Sequence, residues 1–451
     1  MGSMQMSNGG GVPVARNISR REFLKLGGAG LAGAVFLGAA GCGGGGGTGG
    51  PTEIVFSFFP DPSGSVQALI DQFNQENEGE IQVSLREMPA DSGQHFDQLN
   101  TEFQSGEINI DVIGGDVVWP AQFAAQGFIA DLSDRFSESE QSEFLPATIE
   151  ANTYQGRIYG VPWYTDAGML YYRSDLLEES GFSEPPRTWN ELKDQARTVQ
   201  QDSGTRYGFV FQGANYEGGV VNGLEYIWTS GGEVLRGDDE VVIDSSETRQ
   251  GLEIERSMID DGIAPEGVSQ YKEQEVGTIF LGGDAVFMRN VPRFFALADD
   301  PDESSISPEQ IGVAALPVAE EGLQSYSALG GWNFFLNANS GNADAAYEFV
   351  RFMSAPEQQK YRAINGTVLP TRQELYEDEE LLAEVRVAEL GQEAIQNTRP
   401  RPVSPFYSDM SLRMAEQFNT SLNGEVAPEE ATQTLQEELE QIIEQGRQQG
   451  K

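Results

Sequence analysis

The apolar residues between Ile54 and Val112 change their spacing four times, and that alternation limits the fold more than any other feature of the chain. Ile54 to Phe59 is a short apolar run, after which Val66, Leu69, Ile70 and Phe73 fall at i, i+3, i+4 and i+7, one face of a helix. Ile81, Val83 and Leu85 alternate as in a strand, Phe96, Leu99 and Phe103 return to helical spacing, and Ile108, Ile110 and Val112 alternate again. A β-α-β-α-β opening predicts an α/β fold with mainly parallel sheets flanked by helices. Ligands of such sheets bind beyond the carboxyl ends of the strands, here just past Ile113.

Later helices announce themselves by their caps and faces. Thr188 and Glu191 form a capping box ahead of Leu192, Ala196 and Val199. Ala346, Phe349, Val350 and Met353 share a face between Ala343 and Met353, as do Ala431, Leu435, Leu439 and Ile442 between Glu429 and Gln445. These stripes read as core. The roughly 400 residues after the N-terminal segment exceed one ordinary domain, so two lobes are expected.

Residues 1–41 read as an address. Ser19-Arg20-Arg21-Glu22-Phe23-Leu24-Lys25, followed by a Gly/Ala-rich apolar stretch from Leu26 to Ala40, matches a twin-arginine signal, which exports proteins already folded. Cys42, the only cysteine, follows Ala39-Ala40-Gly41 and precedes the run Gly43 to Pro51. That pattern resembles a lipoprotein processing site with a tether over 42–51. Diacylation of Cys42 would supply the two chains that stable anchoring takes.

The chain carries 28 Lys+Arg against 71 Asp+Glu, and without residues 1–41, which hold four basic residues and Glu22, its net charge is −46. Such a charge argues against nucleic acid and anionic headgroups as partners. With only five lysines, the surface suits concentrated salt, where repulsion among acids is screened within ~3 Å at 1 M. No calcium loop of alternating acids is present, and His95 is the only histidine, so a histidine- or cysteine-based zinc site is excluded and no metal or cofactor is implied. Carboxylates remain for chemistry, as in a glycosidase pair, or there is none.

Five strings in order carry the most information: Gly160-Val161-Pro162-Trp163-Tyr164-Thr165-Asp166 running on to Arg173; Tyr216-Glu217-Gly218-Gly219; Gly282-Gly283-Asp284-Ala285-Val286-Phe287-Met288-Arg289-Asn290; Leu329-Gly330-Gly331-Trp332; and Arg401-Pro402-Val403-Ser404-Pro405-Phe406-Tyr407. Together they resemble the family 1 extracellular solute-binding proteins of ABC importers, closest to the trehalose/maltose branch. The resemblance spans nearly the whole chain after the tether. It implies a two-lobe class II periplasmic-binding-protein-like fold with a hinged cleft, no enzymatic activity, a sugar ligand such as a disaccharide, importer membrane subunits as partners, and a monomer outside the cytoplasmic membrane. Family topology implies lobes of 52–149 plus 289–335 and 150–288 plus 336–451.

Sugar chemistry suits the same residues independently. A pyranose offers apolar C–H faces to aromatic plates and a belt of hydroxyls to carboxylates, amides and guanidinium groups. Asp116 with Trp119, Tyr164 with Asp166, and Tyr216 with Glu217 each pair a ring with an acid, and Gly331 lets backbone approach a ligand beside Trp332. From the family pattern Asp116, Asp166, Glu217, Glu273, Arg289, Trp332 and Arg401 are expected sugar contacts. Arg289 also reads as a structural arginine pairing a carboxylate near the hinge, and Trp228 and Tyr171 read as core. Val291 follows Asn290 where relatives often carry Trp, which leaves one plate fewer. The competing functions are an exported carboxylate glycosidase and a sugar sensor docked on a signalling receptor.

Overall fold

A computed structural model describes residues 50–106, 108–237 and 239–448; the export signal and Cys42 lie outside the described residues. Two sheets organise residues 50–448. The larger contains β1 (Thr52–Phe58), β2 (Ile81–Glu87), β3 (Val112–Asp116), β4 (Val161–Ala167) and β9 (Ser327–Leu336), in the order β4-β9-β3-β1-β2, with Leu369–Pro370 outside β4 and Thr398–Arg399 beside the start of β9. The smaller contains β5 (Met169–Arg173), β6 (Tyr207–Val210), β7 (Ala285–Asn290) and β8 (Ile311–Ala314), in the order β8-β5-β7-β6.

The expected β-α-β-α-β opening is present. β2, β1 and β3 run parallel, and helices Ser65–Glu76 and Ser92–Ser105 make their crossovers. The first helix buries Val66, Leu69, Ile70 and Phe73, its predicted stripe. Thr188 and Glu191 complete both halves of the capping box on helix Trp189–Ser203. In the terminal helix Pro428–Gln448, Ile443 is buried rather than Ile442, because the inward ridge runs through 431, 435, 439 and 443 in steps of four. Trp228 and Tyr171 are core, as expected.

Beyond the opening the sheets are mixed. β9 runs antiparallel to both β3 and β4, and β5 antiparallel to β7 and β8. The reason is the chain's path between lobes: a strand that returns from the second lobe enters the first sheet from the opposite end.

Strand pairing also moves the lobe crossings from the expected positions. β4 pairs in the larger sheet, so the first crossing is at Gly168, between β4 and β5, and not near 150. β7 and β8 both pair with β5, which keeps 289–314 in the second lobe. Helix Ala343–Met353 buries Ala346, Phe349 and Val350 against Ile54 and Phe56 under the larger sheet, so the chain stays in the first lobe past 336. Apolar patterning locates strands but does not say which of two sheets receives them, and the β4–β5 run reads as continuous across Gly168. The core of the first lobe is aromatic: Phe56, Phe58, Trp163, Phe334 and Phe349 pack ring to ring.

Candidate functional site between the lobes

β3 ends at Asp116, and that carboxylate opens the site. It accepts the Ser92 hydroxyl at 3.0 Å and the Val118 amide at 3.3 Å. Arg401, on the segment before helix Tyr407–Asn423, places Nη2 3.5 Å from Asp116 Oδ1 and Nη1 2.5 Å from Glu217 Oε1. Glu217 is the first residue of helix Glu217–Trp228 in the second lobe, where the N-terminal end of the helix favours a negative charge. It also accepts the Tyr407 hydroxyl at 2.5 Å and the Ser411 hydroxyl. One guanidinium therefore holds an acid from each lobe. Burial pushes the Asp116 carboxyl above its ordinary pKa; Arg401 opposes that shift and Glu217 adds to it. Burial works against the charge on Arg401, but Tyr407, Glu217 and Asp116 hold its pKa above the ordinary value.

A second cluster lies across β4 and β9. Trp332 stands opposite Asp116 on one side and Tyr164 on the other, because β9 runs between β3 and β4. Its half-buried ring is met nearly edge-on by Phe58, Phe59 and Trp119 at 5.4, 4.9 and 5.3 Å between centroids, and His95 lies 5.4 Å away. His95 is fully buried, and burial lowers its pKa to about 4, so it backs the tryptophan as a neutral ring. Asp166, opposite Gly330 near the end of β4, is pushed up to about 6 by burial; Arg293 and Arg289 oppose the shift and Asp116 adds to it.

Tyr216 and Glu273 meet on the second lobe. Tyr216 caps the helix that begins with Glu217, and Lys272 Nζ lies 4.9 Å from the centre of its ring. Burial and then the Glu273 charge raise the phenol's pKa. Asn290 donates to the Glu273 carbonyl at 3.1 Å, tying the start of helix Glu273–Leu281 to the end of β7.

Three of the expected contacts also serve packing or pairing within the protein. Arg289 is buried and forked onto Glu225 at 2.7 and 2.6 Å, with Gln212 Oε1 at 3.1 Å, the carboxylate partner that the structural alternative expects. Trp119 is 3 % exposed and packs behind Trp332 against His95, Phe96 and Phe123. Gly331 has φ +113°, and a Cβ there would strike the Tyr164 carbonyl and Thr165 Cα. Its lack of a side chain lets β9 lie against β4 at the register shift before Asn333. Sequence reasoning passed over Ser92, Ser411 and Glu225. Only Glu225 left a signal, as a lone acid inside the apolar run Val220 to Trp228.

The family model described as bacterial extracellular solute-binding protein matches residues 59–360. A probable ABC transporter-binding protein of Deinococcus radiodurans is 33 % identical over 368 residues, covering 80 % of this chain and 86 % of its own. A maltotriose-binding protein of Pyrococcus abyssi is 26 % identical over 294 residues, covering 64 % of this chain and 60 % of its own. The solved structure of maltose-bound MalE3 from T. maritima is 36 % identical with TM-score 0.75, covering 87 % of this chain and all of that one. The chain belongs to the bacterial extracellular solute-binding proteins, and its fold is the two-lobe class II periplasmic-binding-protein fold. It is a binding protein, not an enzyme, so the glycosidase reading falls.

The Asp166 carboxyl gives a pH signature. Its folded pKa lies above the unfolded value of 3.8, so between about pH 4 and 6 the folded chain binds the extra proton and stability falls as pH rises through that window. Thermal melts of the unliganded protein should show wild type losing ground to Asp166→Asn from pH 4 to 6.5, with no further change above. A difference that is flat throughout contradicts the assignment.

Proposed function

We propose that this protein is the sugar-binding component of an ABC-type carbohydrate importer and captures a disaccharide such as maltose or trehalose between its lobes. The observation that carries this reading is the Asp116–Arg401–Glu217 network beside Trp332, in which hydrogen-bonding groups from both lobes converge next to an aromatic plate. The maltose held by the T. maritima neighbour supports the ligand class. Trp332 supplies the plate for one pyranose face, and Asp116, Asp166, Glu217, Glu273, Tyr164, Tyr216 and Arg401 serve the hydroxyls. Trp119, Gly331 and Arg289 position these groups. Sugar that bridges the lobes favours the closed arrangement, which the importer's membrane subunits recognise, and part of the binding energy is spent on closing. Export by the twin-arginine route and a lipid anchor at Cys42 would keep the protein at the outer face of the membrane.

Calorimetry with maltose, trehalose and a longer glucan tests the ligand. Saturable binding is expected, and Trp332→Ala should weaken it by about 1–3 kcal/mol with the fold intact; unchanged affinity would retire the plate. The anchor is tested separately. Cys42→Ser should release the protein into the medium with its sugar affinity unchanged, and a variant that stays cell-bound after washing in high salt contradicts lipidation there.

A further inference from the structure

Four arginines are buried among the described residues: Arg173, Arg289, Arg362 and Arg401. Three hold a carboxylate: Arg173 on Asp175 at 2.6 Å, Arg289 on Glu225 at 2.6 Å, and Arg401 between Glu217 and Asp116. Arg362, on helix Pro356–Gly366, holds none. It is 4 % exposed, and its Nε and Nη1 are buried without a hydrogen-bond acceptor. Its guanidinium carbon lies 4.3 Å from the Trp163 ring centre and 5.1 Å from that of Tyr164. Aromatic faces offset only part of the cost of burying a cation, and each unsatisfied donor adds a penalty of its own. Asp61, the carboxylate whose charge acts on it, has its oxygens engaged by Ser63, Ser65 and the Val66 amide.

The position of this unpaired cation is informative. Tyr164 stands opposite Trp332 on β9, and its hydroxyl lies in the combined field of Arg362, Asp166, Asp116 and Asp61. Arg362 thus reaches the strand beside the plate through Tyr164, the residue that also feels the charges of the two cleft aspartates. Its side chain crosses from its helix to the ring of a residue already assigned to the sugar.

We infer that Arg362 is a sugar-binding residue of the first lobe, whose missing acceptors are hydroxyl oxygens of a neutral sugar stacked near Trp332. The inference rests on the sugar reading above. An anionic sugar is disfavoured, because Asp61, Asp116 and Asp166 surround the same phenol. In the unliganded protein this arginine is a stability cost, and in the complex it is a source of affinity.

Those opposite signs make the test. In the full-length chain, Arg362→Met keeps the length of the stem and its packing on Trp163 but removes the charge. Unliganded Arg362→Met should melt at or above the wild-type temperature, while its affinity for maltose or trehalose, whichever wild type binds, falls about tenfold or more. A lower melting temperature with wild-type affinity makes Arg362 structural and overturns the inference. Loss of binding in Trp332→Ala alongside full binding in Arg362→Met also overturns it, yet leaves the sugar reading standing. If wild type binds no sugar, both fall together. Should Arg362→Met fail to fold, Arg362→Lys keeps charge and stem; its affinity must still fall, since an ammonium lacks the planar fork, and wild-type affinity there contradicts the role.

Discussion

The buried ion pair between Arg289 and Glu225 fixes where the two lobes meet. Arg289 comes from the end of β7 and Glu225 from helix Glu217–Trp228, and Glu225 Oε1 also accepts the Ala328 amide at 2.9 Å, at the start of β9. Gly168, the crossing between β4 and β5, lies so close that a Cβ there would strike both members of the pair. A buried pair adds little net stability compared with a well-packed apolar substitute, but breaking one by removing a partner costs about 3–5 kcal/mol. Its value here is geometric: it sets the origin of β9, and β9 lays Gly330, Gly331 and Trp332 against Asp166, Thr165 and Tyr164 of β4, with Trp332 level with Asp116 at the end of β3.

From that origin the site follows. β9 enters the larger sheet antiparallel, which brings Trp332 level with Asp116 and Tyr164, and Gly331 allows the close approach that keeps it there. Arg401 then spans from Asp116 to Glu217, across the lobes rather than within one. Gln122 on the first lobe also accepts the Ser408 hydroxyl at 2.7 Å, so helix Tyr407–Asn423 touches both sides. A ligand that takes over bonds from Arg401 therefore acts on the relation between lobes, which is how a small sugar can bias a movement of whole domains.

Much of this was legible in the sequence, and the limits have physical causes. Period changes gave the opening strands and helices, because a half-buried element must match its hydrophobic spacing to its geometry. Asp116, Glu217 and Arg401 were picked out singly, and the structure joins them in one network. Sheet membership was not legible, since β4 and β5 are equally apolar and differ only in which partner strands they meet. The role of Arg289 was open until its partner was known. A lone arginine in an apolar run points to a carboxylate partner, but the sequence does not say which acid it finds, and Glu225 was passed over. Trp119 and Trp332 both stand beside the end of β3, and burial separates them: Trp119 is packed away, while Trp332 keeps part of its ring exposed.

The central claim is that one ligand engages groups on both lobes and thereby draws them together. Small-angle scattering of the purified protein with and without saturating maltose or trehalose, whichever calorimetry shows to bind, measures this directly. The account predicts a smaller radius of gyration in the liganded protein. Saturable binding with an unchanged radius of gyration would contradict it, because the sugar would then be held without shifting the lobes.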